Sequence, residues 1–159
     1  MPVETLRLSA LCGLLLAGMA SPAAAAGGWH AEPAGVSART AGYGAGRGFT
    51  TIWMSCAGLP PGRLALRFSG FAAGLPTDGS YTVVVSANDI AFLQETRPVA
   101  RGDGGHDLAR TASLGELQPM IDALKKGRKV EVSAPAGRVT LPLTGSGKAL
   151  AALEAGCRG

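Results

Sequence analysis

The sequence predicts a mainly β, α+β domain: an antiparallel β-sandwich or half-barrel with two helices, the C-terminal one tied down by a disulfide. Three observations predict it. Ser80–Ser86 (Ser-Tyr-Thr-Val-Val-Val-Ser) is a β-branched run bounded by turn residues. Leu64, Leu66 and Phe68 alternate with Arg63, Ala65 and Arg67, which gives one apolar and one wet face, as in an antiparallel sheet packed on one side. Helical spacing occurs in only two places, after Ser113 and after Thr144, so one helix interrupts the strand order and one ends it.

The chain opens with Arg7, an apolar run from Leu8 to Ala20, then Ser21, Pro22 and four alanines, Ala23 to Ala26. A basic start, an apolar middle and an A-x-A site predict a Sec-type signal peptide over 1–26, cleaved after Ala26. The competing reading, an N-terminal membrane anchor, needs a longer run, roughly 20 residues. Cys12 follows Leu11 inside the run rather than a small residue at its end, so it is expected to leave with the signal. No later stretch has the length and apolarity of a membrane helix, so no transmembrane segment is expected in the mature chain, and the expected location is periplasmic or secreted.

Residues 27–48 are rich in glycine and alanine and read as a flexible segment with at most one weak strand near Val36–Thr40. The single β-rich domain is expected over 49–159. Phe49–Cys56 is its first strand, Gly58-Leu-Pro-Pro-Gly62 a break, and Arg63–Ser69 the second strand. Thr77-Asp-Gly79 marks a turn before Ser80–Ser86, and Asn88-Asp89 a turn into Ile90–Gln94, its hairpin partner. Residues 95–112 read as a loop with a short strand near Pro98-Val99. Ser113-Leu-Gly-Glu116 has capping-box spacing, and Leu117, Ile121 and Leu124 line one helical face, with Pro119 suggesting a start near Gln118. Lys125, Lys126 and Arg128 suit the negative helix end, and Gly127 its cap. Arg128–Ser133 and Arg138–Leu143 form a strand pair, with Pro142 placing the second at an edge. Thr144 or Ser146 is expected to cap a final helix over Lys148–Ala155, which Gly156 ends.

Beyond the signal, two cysteines remain, Cys56 and Cys157. An even count in an exported chain predicts a disulfide. It would close a loop of about 100 residues, worth up to ~4.7 kcal/mol in the chain-entropy model. The alternatives are a reactive pair or metal ligands, but C-x-x-C is absent and two cysteines alone do not make a zinc site.

Catalytic signatures are sparse. His106, with Asp103 and Asp107, is weighed as a site against a polar turn, and His30 has no partner at a useful spacing. Gly44–Gly48 does not join a strand to a helix as a phosphate loop must, and Thr144–Lys148 lacks the Ser or Thr after Lys148 that a Walker loop needs. No catalytic, cofactor or metal residue is assigned. The net charge of +4 is spread along the chain, unlike the dense basic and aromatic stripe of a nucleic-acid reader, so no nucleic acid is expected. Arg63 and Arg67 on one strand face, with Arg47 or Arg138 nearby, and Lys125, Lys126, Arg128 and Lys129 around the helix end, are the candidate binding surface. The competing reading for both is an ordinary wet face.

Tyr81–Val85, Ile121–Gly127, Val130–Val132, Val139–Leu143 and the ending Gly145-Ser-Gly-Lys-Ala-Leu-Ala-Ala-Leu-Glu-Ala-Gly-Cys157 follow one another in an order similar to small proteobacterial secreted proteins of the invasion-associated locus B type. The resemblance covers roughly residues 49–157 and rests mostly on pattern. It implies an exported, β-rich accessory protein and carries no catalytic residues across. The expected function is a non-enzymatic binding domain of the bacterial envelope, engaging a protein or envelope component. The alternatives are an inhibitor of an exported, lysozyme-type hydrolase, using the loop Thr77–Tyr81 or Thr144–Lys148, and an enzyme whose site assembles only in the fold.

Overall fold

The computed structural model describes residues 27–158; the expected signal peptide lies outside the described residues. Nine strands run in chain order: β1 (Gly28–Glu32), β2 (Thr40–Gly44), β3 (Ile52–Ser55), β4 (Arg63–Ser69), β5 (Tyr81–Ala87), β6 (Ile90–Ala100), β7 (His106–Ser113), β8 (Lys129–Ala134) and β9 (Gly137–Pro142). The helices are α1 (Leu114–Lys126) and α2 (Ser146–Cys157). The strands form one open, antiparallel sheet ordered β1-β2-β3-β4-β7-β6-β5-β8-β9. The protein is therefore mainly β with two helices, and the disulfide Cys56–Cys157 joins the end of β3 to the end of α2.

Alternation decides which sheet face is covered. Ile52, Met54, Leu64, Leu66, Phe68, Val83 and Val85 are fully buried, as are Leu117, Ile121 and Leu124 of α1 and Leu150 and Leu153 of α2. The helices therefore fill one face of the curved sheet, and Arg63, Arg67 and Trp53 stand on the other. Ser146, expected as a cap, is instead buried. Its hydroxyl lies 2.8 Å from the Leu124 carbonyl and 2.7 Å from that of Leu143, while Gly145 takes the N-cap position in the left-handed region. Within Thr144–Lys148, Ser146 is buried while Thr144, Gly145 and Lys148 are exposed.

Residues 27–48 depart from the flexible reading: they supply β1 and β2, paired from Gly28↔Gly44 to Glu32↔Thr40. Their glycines are needed for close approach. A Cβ on Gly42 would collide with Trp53, and one on Gly44 with the Gly48 carbonyl. Residues 95–112 likewise contain no long loop. β6 continues to Ala100 and β7 starts at His106. The helix α1 begins at Leu114 rather than Gln118, with the Glu116 amide bonded to the Ser113 hydroxyl at 3.1 Å. Pro119 sits in its second turn, where it removes one backbone donor. The Asn88-Asp89 turn has φ of 52° and 62°, as a two-residue type I′ hairpin turn requires.

Candidate functional site: an arginine-lined groove on the open sheet face

One cross-strand row runs over the face away from the helices: His30, Gly42, Trp53, Arg67, Ala109 and Arg97 are register partners in turn across β1, β2, β3, β4, β7 and β6. Its first half is aromatic. Phe49, from the β2–β3 connection, stacks on His30 at 4.5 Å and on Trp53 at 6.0 Å. The guanidinium of Arg67 lies over the Trp53 ring, 5.2 Å from its centre. Stacking of this kind fixes an arginine in one orientation and leaves its edge donors free.

Beneath this row Asp107 is only 1% exposed, with Arg67 and Arg101 each 3.6 Å away. The two guanidiniums set positive charge against this buried carboxylate, whose Oδ1 has no hydrogen-bond partner. Arg101 is in turn paired with Asp103 at 3.0 Å. His106 joins neither acid. Successive strand residues point to opposite faces, so Asp107 turns to the arginines while His106 turns the other way. Among the described residues no three His, Cys, Asp or Glu side chains gather as a metal site.

The second half of the row opens into a groove of about 700 Å³. Its floor is low because Ala65 and Ala109 are small, and Arg67, Arg97, Arg110 and Glu95 stand around it. Arg110 is positioned by the Gln94 side-chain carbonyl at 3.1 Å and by an ion pair with Glu116. Arg97 is exposed and makes no ion pair among the described residues. Glu95 accepts from Ser80 at 3.0 Å and Thr82 at 2.6 Å. The Thr82 hydroxyl first, then that of Ser80, holds its carboxyl below the usual glutamate range, with Arg110 adding charge. The acids that pair with Arg67 and Arg110 lie outside the lining, so a ligand on the open face meets Arg67, Arg97 and one carboxylate, with Arg110 at the gap between β7 and β6.

In comparisons with known proteins, no family model, no curated protein and no solved structure matches the chain.

The sequence-predicted surface divides. Arg63 and Arg67 lie on β4, whereas Lys126, Arg128 and Lys129 line a second hollow of about 480 Å³ beside Asp89 and Glu131. β7, β6 and β5 separate the two in the sheet order. Lys125 belongs to neither, because its ammonium is 2.7 Å from Glu154. Arg138 pairs with Glu131 on the far edge of the sheet, away from Arg67. The companions of Arg67 are instead Arg97 and Arg110, both in the stretch read as loop. The spacing of Glu95, Arg97 and Val99 was the visible signal for Arg97. No helix among the described residues is long and apolar enough to cross a membrane.

Proposed function

We propose that this chain is an exported, non-enzymatic binding domain of the bacterial envelope that engages an acidic protein or envelope component through the open sheet face. The groove flanked by Arg67, Arg97 and Arg110 carries this reading. The Arg67 guanidinium, held by stacking and an ion pair, loses little freedom on meeting a carboxylate or phosphate and matches its geometry with paired donors, and Arg97 adds positive charge beside it. A binding role fits the groove better than proton transfer does, because Glu95 is held in its ionised form by two hydroxyls and a base so stabilised accepts protons poorly. The signal-peptide pattern, the disulfide and the similarity of Gly145–Cys157 to small secreted accessory proteins support an address outside the cytoplasm.

The test is capture in the native host: the tagged protein is exported and crosslinked, and what it retains is identified. The expected result is one acidic partner, lost in Arg67→Ala/Arg97→Ala and released as salt rises. Capture unchanged in that variant would remove the groove from the reading.

A further inference from the structure

β6 changes partner part-way along its length. Ile90–Thr96 pairs with β5, and Arg97–Ala100 pairs with β7. On its other side β7 is paired with β4 all the way from Asp107 to Ser113. Ile90–Thr96 therefore has no strand on its β7 side, and Arg110–Ser113 has none on its β6 side, among the described residues. The two strands diverge at this point, bridged by the Gln94–Arg110 side-chain bond. The arginine groove lies over the fork: Glu95 and Thr96 line it from one strand, and Arg110 and Thr111 from the other.

Resting on the reading above, we propose that the groove takes an extended acidic polypeptide segment, which adds as a strand along the open edge of β6. Two independent features point to this occupant. The guanidiniums select negative charge, and the open edge presents backbone donors and acceptors that only another backbone satisfies in register. A sulfated or phosphorylated glycan would use the first feature and leave the second unused. Side chains on the outer face of an added strand recur at every second residue, as do Leu93, Glu95, Arg97 and Val99 on β6. Arg97, the first residue beyond the open stretch and without an ion pair among the described residues, is placed to meet an acid at the end of the added strand. Glu95 opposes an acid beside it and so sets the register. Leu93, 66% exposed on the open stretch, suits an apolar neighbour.

Three fluorescent probes of matched negative charge separate the outcomes: a Glu–Val octapeptide with Glu at its second and eighth residues and Val elsewhere, the same peptide N-methylated at alternate residues, and a sulfated oligosaccharide. The Glu–Val peptide should bind the full-length mature protein. The N-methylated peptide, which keeps the charge but loses one edge of donors, should bind roughly tenfold more weakly. Arg97→Ala should weaken the Glu–Val peptide by a similar factor without changing the circular dichroism, whereas Arg138→Ala, on the far edge, should leave it unchanged. Equal binding of the two peptides, or tighter binding of the oligosaccharide, would overturn strand addition while leaving an anion-binding groove in place. Binding of none of the three would remove both.

Discussion

The indole N–H of Trp29, on the first edge strand, donates to the carbonyl of Pro142, on the last edge strand, at 2.9 Å. The two residues are 113 apart in sequence. No backbone ladder joins β1 to β9, so this side-chain bond clasps the open sheet where a barrel would close. Trp29 is 7% exposed and also packs edge-on against Tyr43.

Trp29→Phe separates the clasp from the packing. It keeps most of the apolar bulk and removes one hydrogen bond, so the expected cost is about 1 kcal/mol. Trp29→Ala removes the bulk as well and should cost about 3–5 kcal/mol. Urea unfolding of both variants measures the difference. A Phe variant as stable as the parent would show that the clasp adds nothing beyond the ring.

Gly156 lies inside α2 rather than at its end, and a Cβ there would meet the carbonyl of Ala38. The Ala38 amide in turn bonds to the Ala152 carbonyl at 2.9 Å, so the β1–β2 connection is strapped to the helix by its backbone. Helix propensity alone would make Gly156→Ala stabilising by roughly 1 kcal/mol. Because backbone cannot move aside as a flexible side chain can, the expected result is the reverse, a loss of about 1–3 kcal/mol. A thermal midpoint equal to or above the parent's would contradict the strap.

What was legible in the chain follows from where local chemistry and tertiary contact agree. The hairpin of β5 with the first part of β6 was readable because β-branched residues flank a two-residue turn whose Asn88 and Asp89 tolerate positive φ. β9 was readable as an edge from Pro142. β1 and β2 were not, because Gly42 and Gly44 weaken strand propensity while satisfying contacts with Trp53 and Gly48 that only the fold creates. The groove was hidden for a related reason. Arg67 was visible on its alternating strand, but Arg97 comes beside it only because β6 leaves β5 for β7 near Pro98, and Arg110 only because β7 pairs with β4.

The Cys56–Cys157 pairing spans 101 residues, and a crosslink of that reach restricts the unfolded chain strongly. It also fastens α2 beside β3, where both cysteines are 2% exposed. The paired substitution Cys56→Ser with Cys157→Ser should lower stability by about 2–5 kcal/mol. Dithiothreitol should lower the parent by a comparable amount and leave the double variant where it was. A parent insensitive to reductant under conditions that expose its thiols to a labelling reagent would sink the prediction.

The contact between the helices titrates with acid. Glu154 of α2 is 4% exposed, and its carboxylate receives Lys125 at 2.7 Å, Gln118 at 2.7 Å and Arg158 at 3.2 Å. Burial opposes its charge, but the Lys125 and Gln118 hydrogen bonds, with the charges of Lys125 and Arg158, outweigh that and hold its carboxyl below the usual glutamate range. Asp122 completes the cluster, 3.9 Å from Lys125 and bonded to Gln118 at 3.1 Å. A depressed folded pKa means that the unfolded chain takes up the proton first as pH falls. The stabilisation is then full above the ordinary glutamate value, about 4.3, and is lost as pH drops through the lower folded one. Glu154→Gln keeps the shape and removes the titration. At neutral pH it should be less stable by about 2 kcal/mol, the worth of a charged hydrogen bond. The gap between parent and variant should narrow as pH falls from about 5 towards 3, because the parent alone loses this charge. Unfolding midpoints across that range decide the matter: two curves that stay parallel would place the acid sensitivity in some other carboxylate.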